Sequence, residues 1–520
     1  MSKVNLFLKN SRHITAITLM IIISIAILFF CADTYAEPLK TDHPSLSAIS
    51  LLIPAFICLI GLCAYILFIV LKTDALQTVI FFMVIIAAVS SIILPPHTVP
   101  DETAHYKTAY AYSNVLMGVS KDPASKTLLI RKCDWQNRSS KLSTQKYIKT
   151  FTDFEVFTDE TELIEVEASF VSTSPFYVYI PQTIGITLGR ILHLSKTVTF
   201  YLARLLNFVF YIIAFYFALK IIPFGKTAFA VIGLFPIAIQ QAMSVSSDVF
   251  INAVAFLVAA NALSFIYSEK EMTLKRIVVF LVFSVLLAPC KIVYFALPFM
   301  ALLIPKEKLP SKPKRFAVKY LIPAAALITM LAIEFGNIAS HMAKETSGTP
   351  LSDVPTYSIH YIFSDTEDFV LLVLRTLREY SSFYISSAMS NSLGSAQIST
   401  SSVLTVIFCC LLLLGLVPVK NDADRIKVHE ADKLLAGIII IGTAALVMLS
   451  MFTSWTPSNF DLIQGVQGRY LLPVLPLLIP IAYTDRLTAS KELSRYVLFA
   501  TVCTSLYTFL SAFCMAVITE

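Results

Sequence analysis

Of 520 residues, 57% are hydrophobic and 14% charged, and the mean hydropathy is +0.75. One water-soluble core cannot enclose that much apolar side chain, so the composition excludes a soluble globular protein and gives an all-α polytopic membrane protein. The net charge of +6 is dispersed over short loops between apolar runs, which reads as membrane topology and not as a nucleic-acid surface.

The apolar runs place candidate spans at 14–31, 49–71, 78–94, 197–219, 227–243, 249–267, 276–289, 292–304, 316–335, 400–418, 433–453, 470–484 and 495–516, about thirteen crossings. Lys9 and Arg12 precede the first run, which ends in Ala-Asp-Thr-Tyr-Ala before Glu37, a passable signal-peptide cleavage site. Cleavage leaves about twelve crossings; an uncleaved helix is preferred, because later spans supply ample insertion signal. The chain divides into N-terminal spans (1–94), a large outer loop with interfacial helices (95–196), central spans (197–335), a second outer segment (336–399) and C-terminal spans (400–520). A cytoplasmic N-terminus puts Lys3, Lys72, Lys220, Lys306, Lys314, Lys420, Arg425 and Arg486 inside with most other loop cations, and leaves Lys40, Lys291 and Arg469 in short outer loops. Both long segments then face outward.

Residues 99–105, Val-Pro-Asp-Glu-Thr-Ala-His, open the large loop just after a span. A carboxylate at the membrane surface can take a proton from a water-borne hydroxyl or hold a metal while a partner stays in lipid, so Asp101 and Glu102 are the catalytic candidates. Pro100 followed by two acids equally fits the first turn of an ordinary helix. Such a helix sets Asp101 and His105 one turn apart on one face, compatible with an acid/base pair or with a metal site of Asp101, Glu102 and His105 for Mg2+ or Mn2+.

Further along, Asn137-Arg138-Ser139 is a glycosylation sequon, informative only in a eukaryotic secretory setting. Residues 151–167 hold seven acids and no base, a solvated surface without an assigned role. Ser174 to Leu192 reads as a segment lying at the interface, and Asp368 to Met389 as a second wall beside the membrane. Arg204, Asn207, Gln240, Gln241, Asp248 and Glu334 sit at outward span ends; for Asp248 a helix cap is the simpler reading. Residues 276–304 read as a hairpin whose arms reach only ~20 Å against a ~30 Å hydrocarbon core. Its Pro289-Cys290-Lys291 break therefore lies below the outer surface, where an ammonium needs water, a carboxylate or a phosphate, or else snorkels to the interface. Asp422-Ala423-Asp424 lies in a loop too short for a nucleotide-binding domain. In Gln464 to Tyr470, two glycines beside Arg469 let backbone N–H groups approach an anion held by the guanidinium; a lone interfacial arginine is the alternative. Eight of nine cysteines lie in, beside or between apolar runs, and only Cys133 falls in a long polar loop, so cysteine chemistry is not expected.

In this order, V-P-D-E-T-A-H, S-P-F-Y, A-R-L-L-N, S-V-S-S-D, C-K-I-V-Y and G-V-Q-G-R-Y-L-L-P resemble a family of bacterial polytopic membrane proteins catalogued as domain of unknown function 2142, which is similar to the GT-C glycosyltransferases. The resemblance covers about Leu71 to Asp485. It implies a GT-C-like enzyme in the bacterial inner membrane that moves a sugar from a polyprenyl-phosphate donor to a glycan or lipid acceptor of the cell envelope, outside the cytoplasm. Asp101 matches the acid of the first large outer loop, as general base or metal ligand, and Glu102 the second acid. Lys291 and Arg469 then bind the donor phosphate, with His105, Gln467, Arg204 and Asp248 in support. The rival class is a transporter or flippase of lipid-linked saccharides, with Lys291, Glu334 and Asp248 lining its path.

Overall fold

Among the residues described, eight helices are long and apolar enough to cross a membrane. The structure, a computed structural model, describes residues 11–40, 42–120, 122, 127–136, 138–151, 154–167, 174–309, 311–343, 351, 353–423 and 426–518. Lys3, Lys9, Asn137, Asp424 and Arg425 lie outside the described residues, as do parts of both long segments between the groups of spans. In chain order, α1 (Ser11–Cys31), α2 (Pro44–Tyr65) and α3 (Ala75–Ile93) lead to the large loop. The loop holds α4 (Glu102–Leu116), β1 (Thr127–Arg131), α5 (Thr144–Phe151), β2 (Leu163–Glu167) and α6 (Ile180–Ile191). There follow α7 (Lys196–Ile221), α8 (Lys226–Gly233), α9 (Pro236–Ala242), α10 (Asp248–Tyr267), α11 (Leu274–Leu287) and α12 (Ile322–Ala343). The chain ends through α13 (Thr366–Ser387), α14 (Ser402–Leu416), α15 (Glu430–Ser454) and α16 (Lys491–Ile518). It is an all-α multi-pass membrane protein, apart from the antiparallel β1–β2 pair.

The eight long helices are α1, α2, α3, α7, α10, α12, α15 and α16. The other five apolar stretches are shorter or broken, for reasons in their residues. Helices α11 and α14 have 14 and 15 residues. The stretch 227–243 splits before Pro236 into α8 and α9. The second hairpin arm and the stretch 470–484 are not α-helical spans: they run largely as 3-10 turns over Ile292–Tyr294, Leu297–Leu303 and Gly468–Leu477. Pro298, Pro473 and Pro476 lie in the last two, and proline removes a backbone donor and clashes with the preceding turn. Irregular backbone at this depth is tolerated because protein covers it: Leu297, Met300, Leu472 and Leu477 are buried.

Helix α10 is the hub. A helix that is apolar all round belongs inside, and every residue from Val249 to Ile266 is buried, packed by α7, α11 and the two 3-10 segments. At the periphery α1 leaves Leu19, Ile22, Ile25 and Phe29 exposed, as a lipid-facing helix does.

The large loop folds on itself and then onto the helices. Arg131 at the end of β1 grips Asp134 at 2.7 and 2.9 Å, Tyr110 of α4 donates to the same carboxylate at 3.0 Å, and Arg190 of α6 lies 4.4 Å from the Tyr110 ring. Helix α6 needs glycine where it crosses α7: a Cβ on Gly185 would stand 2.6 Å from the Ala203 Cα. Its opposite face leaves Ile180, Ile184, Leu188 and Ile191 exposed at helical spacing, an apolar stripe within 174–192.

Candidate functional site

The site begins where α3 ends. Past Leu94 the chain turns through Pro95 and Pro96, with Thr98 Oγ1 donating to the Pro95 carbonyl at 2.7 Å. Asp101 then adopts the left-handed conformation (φ 59°, ψ 8°), which aspartate tolerates better than most residues, and stands at the N-cap of α4. Its carboxylate makes no capping bond and stays 69% exposed. It meets Arg469 Nη2 at 3.4 Å instead. The backbone at Asp101 thus turns the side chain out of the helix and toward a cation brought from the other end of the chain.

Arg469 continues the row. Its Nη1 lies 3.9 Å from Asp248 Oδ2, and Asp248 Oδ1 accepts from Lys291 Nζ at 2.6 Å. Tyr470 offers its ring to both cations, 5.0 Å from Lys291 Nζ and 5.2 Å from the Arg469 guanidinium carbon, and Tyr294 OH fixes it by donating to its carbonyl at 2.8 Å. Arg469 is buried, and its Nε has no hydrogen-bond acceptor among the described residues. A buried guanidinium donor without an acceptor is costly, and an anion at that point removes the cost.

The row joins two cavities. One, of about 550 Å³, is lined chiefly by apolar residues such as Ile359, Leu446, Val447 and Met451, with Lys291, Glu334 and Tyr470 at its wall. The other, of about 520 Å³, is lined by Thr103, Lys107, Ser140, Ser395 and Gln467 around Asp101. Lys291 stands on an extended residue between 3-10 turns, so the hairpin break delivers it to Asp248 and does not leave it snorkelling at a helix end.

Several expectations change here. Glu102 is not a second surface acid: its side chain is fully buried and accepts from Arg204 Nε and Nη2, both at 2.7 Å. The Val245 N–H adds a bond at 3.2 Å, while Arg204 also donates to the Leu94 and Pro95 carbonyls. This pair holds the loop that presents Asp101, so Glu102 and Arg204 are framework. His105 Nδ1 is hydrogen-bonded to Tyr179 OH at 2.8 Å, and among the described residues no three His, Cys, Asp or Glu side chains group to hold a metal ion. Asp101, Glu102 and His105 therefore do not form the expected cation site. Asp248 does not cap α10 with its side chain; it turns to Lys291 and Arg469. Gln467 lies in the Asp101 cavity, as a supporting residue should. Tyr470 and Tyr294 were not singled out from the sequence, although Tyr470 is the next residue of the Gly-Arg-Tyr run.

Gly468 has another purpose than offering its N–H to an anion. That N–H donates to Ser387 Oγ at 2.9 Å, and a Cβ here would fall on the Tyr384 carbonyl oxygen and within 2.5 Å of the Ala388 nitrogen. Both contacts are backbone, so neither yields easily. Gly468→Ala is expected to push Arg469 away from Asp101 and Asp248, abolishing ligand binding at the row while the protein still inserts; anion-binding titration of the purified variant checks this.

Burial lowers the pKa of both His97 and His105 below the ordinary 6.5; for His105 the Asp248 and Asp101 carboxylates partly oppose burial. Both rings are neutral at pH 7. Because the folded pKa lies below the unfolded one, their contribution to stability is complete above about pH 6.5 and is lost as pH falls below it. Thermal stability should decline as pH falls below 6.5, and the combined His97→Gln, His105→Gln variant should flatten that decline.

No curated protein and no solved structure matches the chain. The family model DUF2142, described as predicted membrane protein, matches residues 80–478, from within α3 through the Arg469 segment and so across the whole of this site, and the chain belongs to that family.

Proposed function

We propose that the protein is a membrane glycosyltransferase that moves a sugar from a polyprenyl-phosphate donor to a glycan or lipid acceptor of the cell envelope, on the extracytoplasmic side of a bacterial inner membrane. The observation that carries this reading is the continuous row Asp101, Arg469, Asp248, Lys291, with an apolar cavity at its lysine end and a polar one at its aspartate end. The apolar cavity takes the isoprenoid chain and sets its phosphate against Lys291 at its wall, with Arg469 joined to that lysine through Asp248. The acceptor hydroxyl enters from the polar side, beside the exposed Asp101 carboxylate.

In the transfer step the acceptor oxygen bonds to the anomeric carbon as the bond from that carbon to the phosphate oxygen breaks. The electron pair leaves with polyprenyl phosphate, and the hydroxyl proton passes to Asp101. Negative charge grows on the phosphate along this path, so Lys291 and Arg469 hold the transition state more tightly than the ground state. Asp248 acts as a positioning residue that keeps both cations turned inward. The motifs resemble a family that is itself similar to the GT-C glycosyltransferases, which implies the same reading.

A transporter or flippase would bind the same donor and leave its glycosyl–phosphate bond intact. Incubating the purified protein with radiolabelled polyprenyl-phosphate sugars and an envelope extract separates the two. Release of polyprenyl phosphate with label moved to the extract is expected; intact donor after binding would overturn the enzyme assignment.

A further inference from the structure

We infer that the acceptor is a polyanionic glycan, bearing carboxylate or phosphate groups, which Lys107 and Arg138 bind beside the Asp101 cavity. The inference rests on the glycosyltransferase reading and names its acceptor. Lys107 lines the same cavity as Asp101. Its ammonium lies 5.0 Å from the Trp135 ring centre, and the Arg138 guanidinium carbon lies 3.1 Å from the same ring, anchored by Nε donating to the Trp135 carbonyl at 2.7 Å. Two cations are therefore held against one half-buried indole. Among the described residues neither forms an ion pair, and the hydrogen-bond partner of Lys107 is the Glu167 carbonyl at 3.4 Å.

Their repulsion is felt: burial and the neighbouring Arg138 lower the Lys107 pKa, and only partly does Glu167 oppose them. An anion that meets both cations relieves that repulsion without displacing any protein carboxylate. The segment that carries Arg138 is fixed along the cavity, since Gln397 accepts from the Leu142 N–H at 2.9 Å and donates to the Ser140 carbonyl at 2.8 Å. Ser140 itself lines the cavity, and Lys141 next to it is exposed. Within the large loop, β2 and its approach carry exposed Glu155, Glu162 and Glu165, while Lys107 lines the Asp101 cavity. A neutral acceptor gains nothing from this arrangement.

The test is binding, read without any transfer of sugar. Purified full-length protein is titrated at low salt with fluorescent oligomers of galacturonic acid, with inorganic polyphosphate of similar length, and with neutral dextran oligomers. At least one anionic probe is expected to bind ten-fold or more tightly than dextran and to weaken as salt rises; a preference for galacturonate or for polyphosphate names the anion. The double variant Lys107→Gln, Arg138→Gln should remove that preference, and Lys107→Arg, Arg138→Lys should restore it. Dextran binding as well as both anions, or a double variant that binds them unchanged, overturns the inference. Failure here leaves the donor assignment intact, and a protein that binds anionic glycans yet never cleaves the donor fails only as a transferase.

Discussion

Asp101→Asn and Arg469→Ala, made at normal level in the membrane, are each expected to lose sugar transfer by about 10²-fold or more. Removing a general base costs roughly 10²–10⁴ in rate, and removing one donor to a developing oxyanion roughly 10²–10³. Asparagine keeps the shape of Asp101 and its tolerance of the left-handed conformation, so the loop stays in place and only the proton acceptor is lost. Arg469→Ala removes the contact to Asp101, the contact to Asp248 and the free Nε together. The two should differ in kind: the asparagine variant binds the lipid donor normally and turns over slowly, whereas the alanine variant loses donor affinity as well. Radiolabelled-donor binding beside turnover separates them, and full activity in both sinks the site.

Breaking the Glu102–Arg204 pair is expected to cost more than any other single change outside the row. Both side chains are fully buried, and removing one partner of a buried pair leaves an unpaired charge at about 3–5 kcal/mol, a large share of the stability of most domains. Arg204→Ala also orphans the Leu94 and Pro95 carbonyls, which fix the turn into Asp101. Both Glu102→Gln and Arg204→Ala should therefore melt well below the parent or fail to accumulate. The double variant Glu102→Gln, Arg204→Met removes both charges and should recover part of the loss; thermal unfolding in detergent checks the order. If Glu102 acted as an acid in the chemistry, Glu102→Gln would unfold normally and lose only activity.

The membrane class and the eight long helices were legible in the sequence, because a continuous apolar run states its own helix. The broken stretches were less so: Pro298, Pro473 and Pro476 were visible, but how far each interrupts its helix depends on what packs around it. Asp101, Lys291 and Arg469 were each legible as polar residues at the ends of apolar runs. That they share one row was not, since residues 101, 248, 291 and 469 meet only through the packing of α4, α10 and two 3-10 segments. The same limit explains Glu102 and Asp248. Adjacent acids look alike in a sequence, yet the turn at Asp101 sends one side chain to solvent and the next into the core. Asp248 begins a helix, where a cap is the local expectation, and only the approach of the hairpin recruits it to Lys291.

The most direct measurement is photo-crosslinking of the purified protein with a short polyprenyl phosphate that carries a photoreactive group along its isoprenoid chain, followed by mapping of the labelled peptides. Label is predicted on α15 around Leu446 to Ser454 and near Ile359, with unlabelled polyprenyl phosphate competing and Lys291→Gln or Arg469→Gln abolishing it. Label confined to lipid-facing surfaces such as α1, indifferent to competitor and to both substitutions, would contradict the account.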